Sequence, residues 1–257
     1  MSSEETQIEE LFSYCREDDV ENVFETLEEK NISLNVRNKG DWTLLIWACY
    51  YHSFEVVKLL LNFPKRKCKD IEELDLNEHG PSGWTALMTC CWKGYISIVE
   101  LLLHDKRTQL NLVSAQGKTP ISIACEYEHL DIVQLLLKNL EIDINKPDDQ
   151  GCTPLMKVCR LGFLEIVEWI LGMRMDVEIH LKNLKGETVF NFAENRLIPK
   201  EEWENDKMFN ERVNDGIQII KLLESYSKNR QETVHDLREQ LNLLGFFFSS
   251  LFSFLIF

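Results

Sequence analysis

Four cysteines, Cys49, Cys91, Cys125 and Cys159, each stand six residues after a threonine. As a thiolate, cysteine is a nucleophile, and in groups it closes disulfides or holds zinc. Successive members are 42, 34 and 34 residues apart, the interval of equivalent positions in consecutive structural units. Equivalent positions on packed helices lie ~10 Å apart, because helix axes are separated by ~8–10 Å. A disulfide needs Cα atoms within ~7 Å, and zinc needs sulfurs at ~2.3 Å. The ladder is therefore expected to pack helix against helix through small apolar side chains. Cys90 and Cys91 are adjacent and point in different directions.

The other reactive residue types form no constellation. The histidines His52, His79, His104, His129, His180 and His235 contain no H-x-x-x-H pair, and no phosphate-binding glycine loop or serine elbow is present. Aspartate and glutamate are abundant, but they fall on helices and tips rather than in an acid/base pair. The sequence points away from an enzyme, a cofactor or a metal.

The elements that carry these residues repeat. The stretch Asn111–Asn145 reads as two short helices: Gly117 for a tight turn, Thr119 as a cap, Pro120 at the first helical position, then an apolar run to Ala124. A turn at Glu128–His129 leads into a second helix from Leu130 to Leu137 with a wide apolar face. Neither helix can bury that face alone. Equivalent threonines stand at Thr43, Thr85, Thr119, Thr153 and Thr188. Eight residues before them are Asn35, Asn77, Asn111, Asn145 and, in the last copy, His180. Fourteen residues after the first four are Val57, Val99, Val133 and Val167.

A period near 33 with G-x-T-P-L-x-x-A followed by an I-V-x-L-L-L helix resembles the ankyrin repeat, over roughly residues 7–224. The resemblance implies an all-α ankyrin-repeat solenoid of helix-turn-helix units with hairpin-like connecting loops. We read six repeats, including two caps.

Residues 1–34 form an acidic N-terminal capping repeat with eleven acidic and two basic side chains, a solvated cap or a docking face for a basic partner. Repeats fill 35–224. In the second, Asp41 replaces the usual glycine and Leu44 the usual proline. Eight extra residues follow it, within 62–77, and hold the basic run Lys65, Arg66, Lys67 and Lys69. That run reads as a solvated loop or, as the sharper alternative, an import address or phosphate contact. In the last repeat an insert lies within 195–215, a helical flap whose role the sequence leaves open, and Ile220 is placed level with Val57. Residues 225–240 read as a polar linker or exposed helix.

Residues 241–257 carry no charge and twelve large apolar side chains in 17. A helix of that length spans ~25 Å, the lower limit for a bilayer. The segment reads as a membrane tail anchor, as a strand of chain packed in a groove, or as a mistranslated end.

The composition fits a repeat scaffold. With 257 residues and 44% hydrophobic content a sizeable core is available, and the net charge of −15 disfavours nucleic acid. Eight cysteines without a secretory signal predict a reduced, cytoplasmic setting, with membrane contact only through 241–257. The expected function is a scaffold or adaptor that binds another protein, the chain itself being a monomer. The alternative is a membrane-tethered regulator.

The resemblance implies that a partner is bound by hairpin tips and by the exposed, concave face of the first helix of each repeat. Carried across, the tips are Lys39, Trp42, Ser82, Trp84, Gln116, Lys118 and Gln150. The helix positions are Tyr50, Tyr51, Trp92, Lys93, Glu126, Tyr127, Arg160 and Leu161. Tryptophan and tyrosine there supply large contact area at low entropic cost. Trp42 and Trp84 are expected along one edge, with Tyr50, Tyr51, Trp92 and Tyr127 along the adjacent face.

Overall fold

The computed structural model describes residues 3–63, 73–198 and 204–242. Among these there are thirteen α-helices, two three-residue 3-10 helices and no strand; an isolated antiparallel bridge joins Arg37 and Thr43. The all-helical expectation holds. The chain divides into two compact units, Met1–Ala124 and Cys125–Phe257.

The first unit holds α1 (Ser3–Arg16), α2 (Val20–Glu29), α3 (Leu44–Tyr51), α4 (Phe54–Leu61), α5 (Ala86–Lys93), α6 (Ile96–His104) and most of α7 (Pro120–Glu126). The second holds α8 (Leu130–Leu137), α9 (Pro154–Leu161), α10 (Leu164–Met173), α11 (Val189–Glu194), α12 (Asp206–Lys228) and α13 (Arg230–Gln240). In the first unit α3 packs on α1 and α5, while α4 packs on α2 and α6. In the second, α9 packs on α11, and α10 on α8, α12 and α13.

The repeating threonines start the first helix of each pair. Thr43 Oγ1 accepts from the Ile46 amide at 3.2 Å, and Thr85, Thr119 and Thr153 cap α5, α7 and α9 in the same way. This satisfies an amide that the helix itself leaves unpaired. In the last copy the cap is part of a capping box: Asn191 Oδ1 accepts from the Thr188 amide at 2.9 Å. The repeating valines, Val57, Val99, Val133 and Val167, are fully buried.

Asn35 and Asn145 each tie their repeat to the next. Asn35 Nδ2 donates to the Glu73 carbonyl at 2.9 Å, and its Oδ1 accepts from the Asp75 amide at 2.8 Å. Asn145 does the same to Asp176 and Glu178. Adjacent hairpin tips are also joined by backbone, Ala115 N to Ser82 O at 2.9 Å in the first unit and Leu184 N to Gln150 O at 3.0 Å in the second. Gly83 (φ +71°) and Gly151 (φ +77°) permit this approach, since a Cβ on either would stand 2.8 Å from the neighbouring tip's amide nitrogen. Asp41, at the glycine position of its own tip, also has positive φ and is held by Arg37, which donates to its carbonyl and its carboxylate at 3.0 Å.

Three expectations change in detail. On α12 Ile219 and Leu223 are fully buried, while Ile220, the expected counterpart of Val57, is only partly covered. The described part of the insert is a 3-10 turn, Asn195–Leu197, and the opening turns of α12. Arg212 fastens them, reaching the buried Glu204 through two contacts of 2.8 and 2.9 Å and donating to the carbonyls of Arg196 and Ile198. Residues 225–240, expected as a polar linker or exposed helix, are the end of α12 and α13. Val234 and Leu237 are buried, and Arg230 and Arg238 donate to the carbonyls of Met175, Val177 and Gly172. The basic run at 65–69 and nearly all of the apolar tail lie outside the described residues.

Candidate functional site

Aromatic side chains dominate one surface of the first unit. Trp47, Tyr50 and Tyr51 fall at i, i+3 and i+4 on α3 and so share one helix face. Trp42 precedes the cap of that helix, and Trp84 holds the same place before α5. In both repeats the tip indole packs on the aromatic ring eight residues later: Trp42 on Tyr50 at 5.1 Å between centroids, and Trp84 on Trp92 at 5.6 Å, each edge to face. The expected two rows are therefore one interleaved sheet of rings.

The contacts continue across repeats. Trp47 meets Trp42 at 5.8 Å, Tyr51 at 4.8 Å and Phe12 of α1 at 5.8 Å. Tyr50 meets Tyr51 at 5.1 Å and Trp92 at 6.0 Å. Lys93 crosses this sheet, its Nζ 4.2 Å from the centroids of both Tyr50 and Trp92. Tyr51 is 40% exposed; Trp42, Trp47, Tyr50, Trp84, Trp92 and Lys93 are half-buried against one another. Mutual packing fixes their rotamers, which lowers the entropic cost of presenting them to a partner.

Beside the rings lies a groove of about 360 Å³, walled by Glu9, Phe12, Ser13 and Arg16 of α1, by Asn38, Lys39 and Gly40 of the tip, and by Trp47. Trp47 Nε1 donates to the Phe12 carbonyl at 2.9 Å, which sets the floor. Lys39 pairs with Glu9, which holds its ammonium above the ordinary lysine range. Trp47 and Phe12 were not singled out from the sequence. The position Trp47 occupies holds Thr89, Ile123 and Lys157 in the following repeats, so only its i, i+3 relation to Tyr50 marked it.

The remaining tip residues of this unit, Ser82, Gln116 and Lys118, lie on neighbouring hairpins, Ser82 and Gln116 exposed and Lys118 half-buried. In the second unit the same positions are ionic. Lys157, buried on α9, pairs with Asp148 at 2.8 Å and Glu126 at 3.5 Å. Burial raises the Asp148 carboxyl, but hydrogen bonds from Lys157 and from the Cys152 and Gln150 amides outweigh it and leave it below its usual value. Tyr127 is 47% exposed, and Gln150 and Arg160 are exposed. The carbonyls of Arg160 and Leu161 accept from Arg196 Nη1 at 3.2 and 2.7 Å, which caps α9. All of the expected aromatic positions except Tyr127 thus lie in the first unit.

The cysteines are packing residues. Among the described residues Cys15, Cys49, Cys90, Cys91, Cys125, Cys152 and Cys159 are buried thiols that form no disulfide. Burial pushes the Cys125 thiol up to about 12, raises those of Cys15 and Cys159 further, and raises Cys90 with Cys49 beside it. Such thiols are poor nucleophiles. Among the described residues no group of three or more His, Cys, Asp or Glu could hold a metal ion, and no helix is long and apolar enough to cross a membrane.

Residues 11–113 and 106–183, more than half of the chain, match the family model for ankyrin repeats in three copies. A 62-residue stretch is 37% identical to acyl-CoA-binding domain-containing protein 6 of Homo sapiens, covering 23% of this chain and 22% of that protein. The Bos taurus counterpart is 33% identical over 54 residues, 21% of this chain and 19% of its own length. The chain thus spans only about a fifth of the curated relatives it matches. Among solved structures, the ankyrin repeat domain of Bcl-3, titled a unique member of the IkappaB protein family, is similar at a TM-score of 0.65 and 18% identity. That match covers 81% of this chain and 85% of that one, and at this identity it is a likeness of fold.

Proposed function

The chain belongs to the ankyrin-repeat family, and from that premise we propose that it is a protein-binding scaffold or adaptor. Its partner docks on the aromatic surface of α3 and α5, the tips beside them and the groove against α1. The observation that carries this reading is the unbroken run of rings from the buried Phe12 through Trp47, Trp42, Tyr51 and Tyr50 to Trp92 and Trp84, in which Tyr51 is exposed and the tryptophans and Tyr50 are only partly covered. A core would bury such rings completely. Locked aromatics at an open surface are what interface hot spots are made of.

The binding role does not call on chemistry. Burial raises the thiols of Cys15, Cys90, Cys125 and Cys159 above their ordinary range, and Glu9 and Asp148 are engaged in ion pairs with Lys39 and Lys157. A net charge of −15 opposes nucleic acid as the partner. We place the protein in the cytoplasm as a monomer.

A second reading rests on residues 241–257, uncharged and rich in phenylalanine: the repeats act as a regulator tethered to a membrane by that tail. Affinity capture with the intact chain and with a chain ending at Gln240, followed by identification of the bound proteins, separates the two. The scaffold reading expects one partner set with both forms. Capture that depends on the tail, with carbonate-resistant membrane association of the intact form alone, would replace it by the second reading.

A further inference from the structure

We propose that the exposed Tyr51 ring and the solvent-accessible parts of Trp42 and Trp47 beside it receive a lysine or arginine side chain from an extended basic segment of the partner protein. This rests on the docking reading above and names the chemistry that reading leaves open. The first support is an occupant already in place. Lys93 lies 4.2 Å from the ring centres of Tyr50 and Trp92, so ring faces of this sheet already hold a cation within the distance at which a quadrupole attracts one. Trp42, Trp47 and Tyr51 belong to the same sheet, joined edge to face or tilted at 4.8–5.8 Å, and Tyr51 is 40% exposed.

The second support is charge. The first 34 residues, whose α1 forms one wall of the adjoining groove, carry eleven acidic and two basic side chains. The two cations on the groove wall are already faced by carboxylates, Lys39 by Glu9 and Arg16 by Glu17 at 3.6 Å. With those two cations faced by carboxylates, the net negative charge of the adjoining cap favours an arriving cation over an arriving carboxylate. Lys93 opposes a second cation close by, which makes it the sensitive probe of the idea.

The test uses the full chain and three capped peptides of glycine and leucine carrying a central arginine, citrulline or glutamate, titrated by tryptophan fluorescence. The arginine peptide is expected to bind about three- to thirty-fold tighter than its uncharged citrulline isostere, with glutamate weakest and the preference falling as salt rises. Lys93→Met should tighten the arginine peptide, and Tyr51→Leu should erase its advantage, with the circular dichroism of both variants unchanged. Equal binding of arginine and citrulline, tighter binding of glutamate, or no binding of any peptide overturns the assignment of a cation. The docking reading would then stand or fall on partner capture by the ring variants.

Discussion

Asn77 reaches out of its own repeat to Arg107: its Nδ2 donates to the Arg107 carbonyl at 2.9 Å, while its Oδ1 accepts from the Gln109 amide at 2.7 Å. One side chain thereby satisfies two backbone groups of the next repeat. Asn77→Leu leaves both without a partner and is expected to cost about 1–3 kcal/mol in urea unfolding. Asn77→Asp keeps the acceptor and loses the donor, and should fall between. A leucine variant as stable as the parent would mean that water replaces the tie.

Ala124 is fully buried, as are Ala48, Cys90, Val158 and Ala193 at the equivalent positions. Ala124→Trp should overpack its helix contacts and cost about 1–3 kcal/mol or more. Thermal unfolding checks this directly; an unchanged midpoint contradicts the repeat register.

The repeats were legible because their markers do local work. A threonine cap acts on an amide three residues away, and a valine at a fixed offset needs only helical spacing to be buried. The asparagines were legible as a register but not as a link, because the groups they bond lie some 30–40 residues on. The aromatic positions were named from the family pattern, yet their interleaving depends on ring orientation, which spacing does not carry. A helix at 225–240 was one of the two readings, but what holds α13 in place was hidden for the same kind of reason. Its sequence is polar, and it is held by two buried aliphatics and by arginines that bond distant carbonyls.

Leu237 tests that helix. It is buried, and its Cβ approaches Gly172 on α10 so closely that a Cβ there would stand 3.3 Å away. Leu237→Ala is expected to cost about 2–5 kcal/mol. If α13 were a linker, calorimetry of this variant would show no change.

Arg174 and Asp176 set a pH dependence. Arg174, nearly fully buried, donates to Asp176 through Nε at 2.8 Å and Nη2 at 2.6 Å, and holds that carboxyl below its usual range; Arg107 does the same to Asp105. A carboxyl depressed in the folded state adds stability above its unfolded pKa of ~3.9 and loses it as pH falls through the folded value. Asp176→Asn and Asp105→Asn should therefore be less stable than the parent at pH 7, by about 0.5–1.5 kcal/mol, the smaller effect at Asp176, whose side chain is more than half exposed and screened by water. The gap should narrow below pH ~4. Urea midpoints across that range decide it, and a gap that widens in acid contradicts the assignment.

The central claim is that the ring surface of α3 and α5 holds the partner. It is tested most directly by the affinity of the captured partner for a variant with Trp42→Leu, Tyr51→Leu and Trp84→Leu together. Leucine keeps apolar bulk where the rings pack on each other, so cooperative unfolding and helix content should persist. The account predicts that affinity falls well over tenfold, single hot spots being worth ~2 kcal/mol or more. A folded variant that binds its partner as tightly as the parent contradicts it.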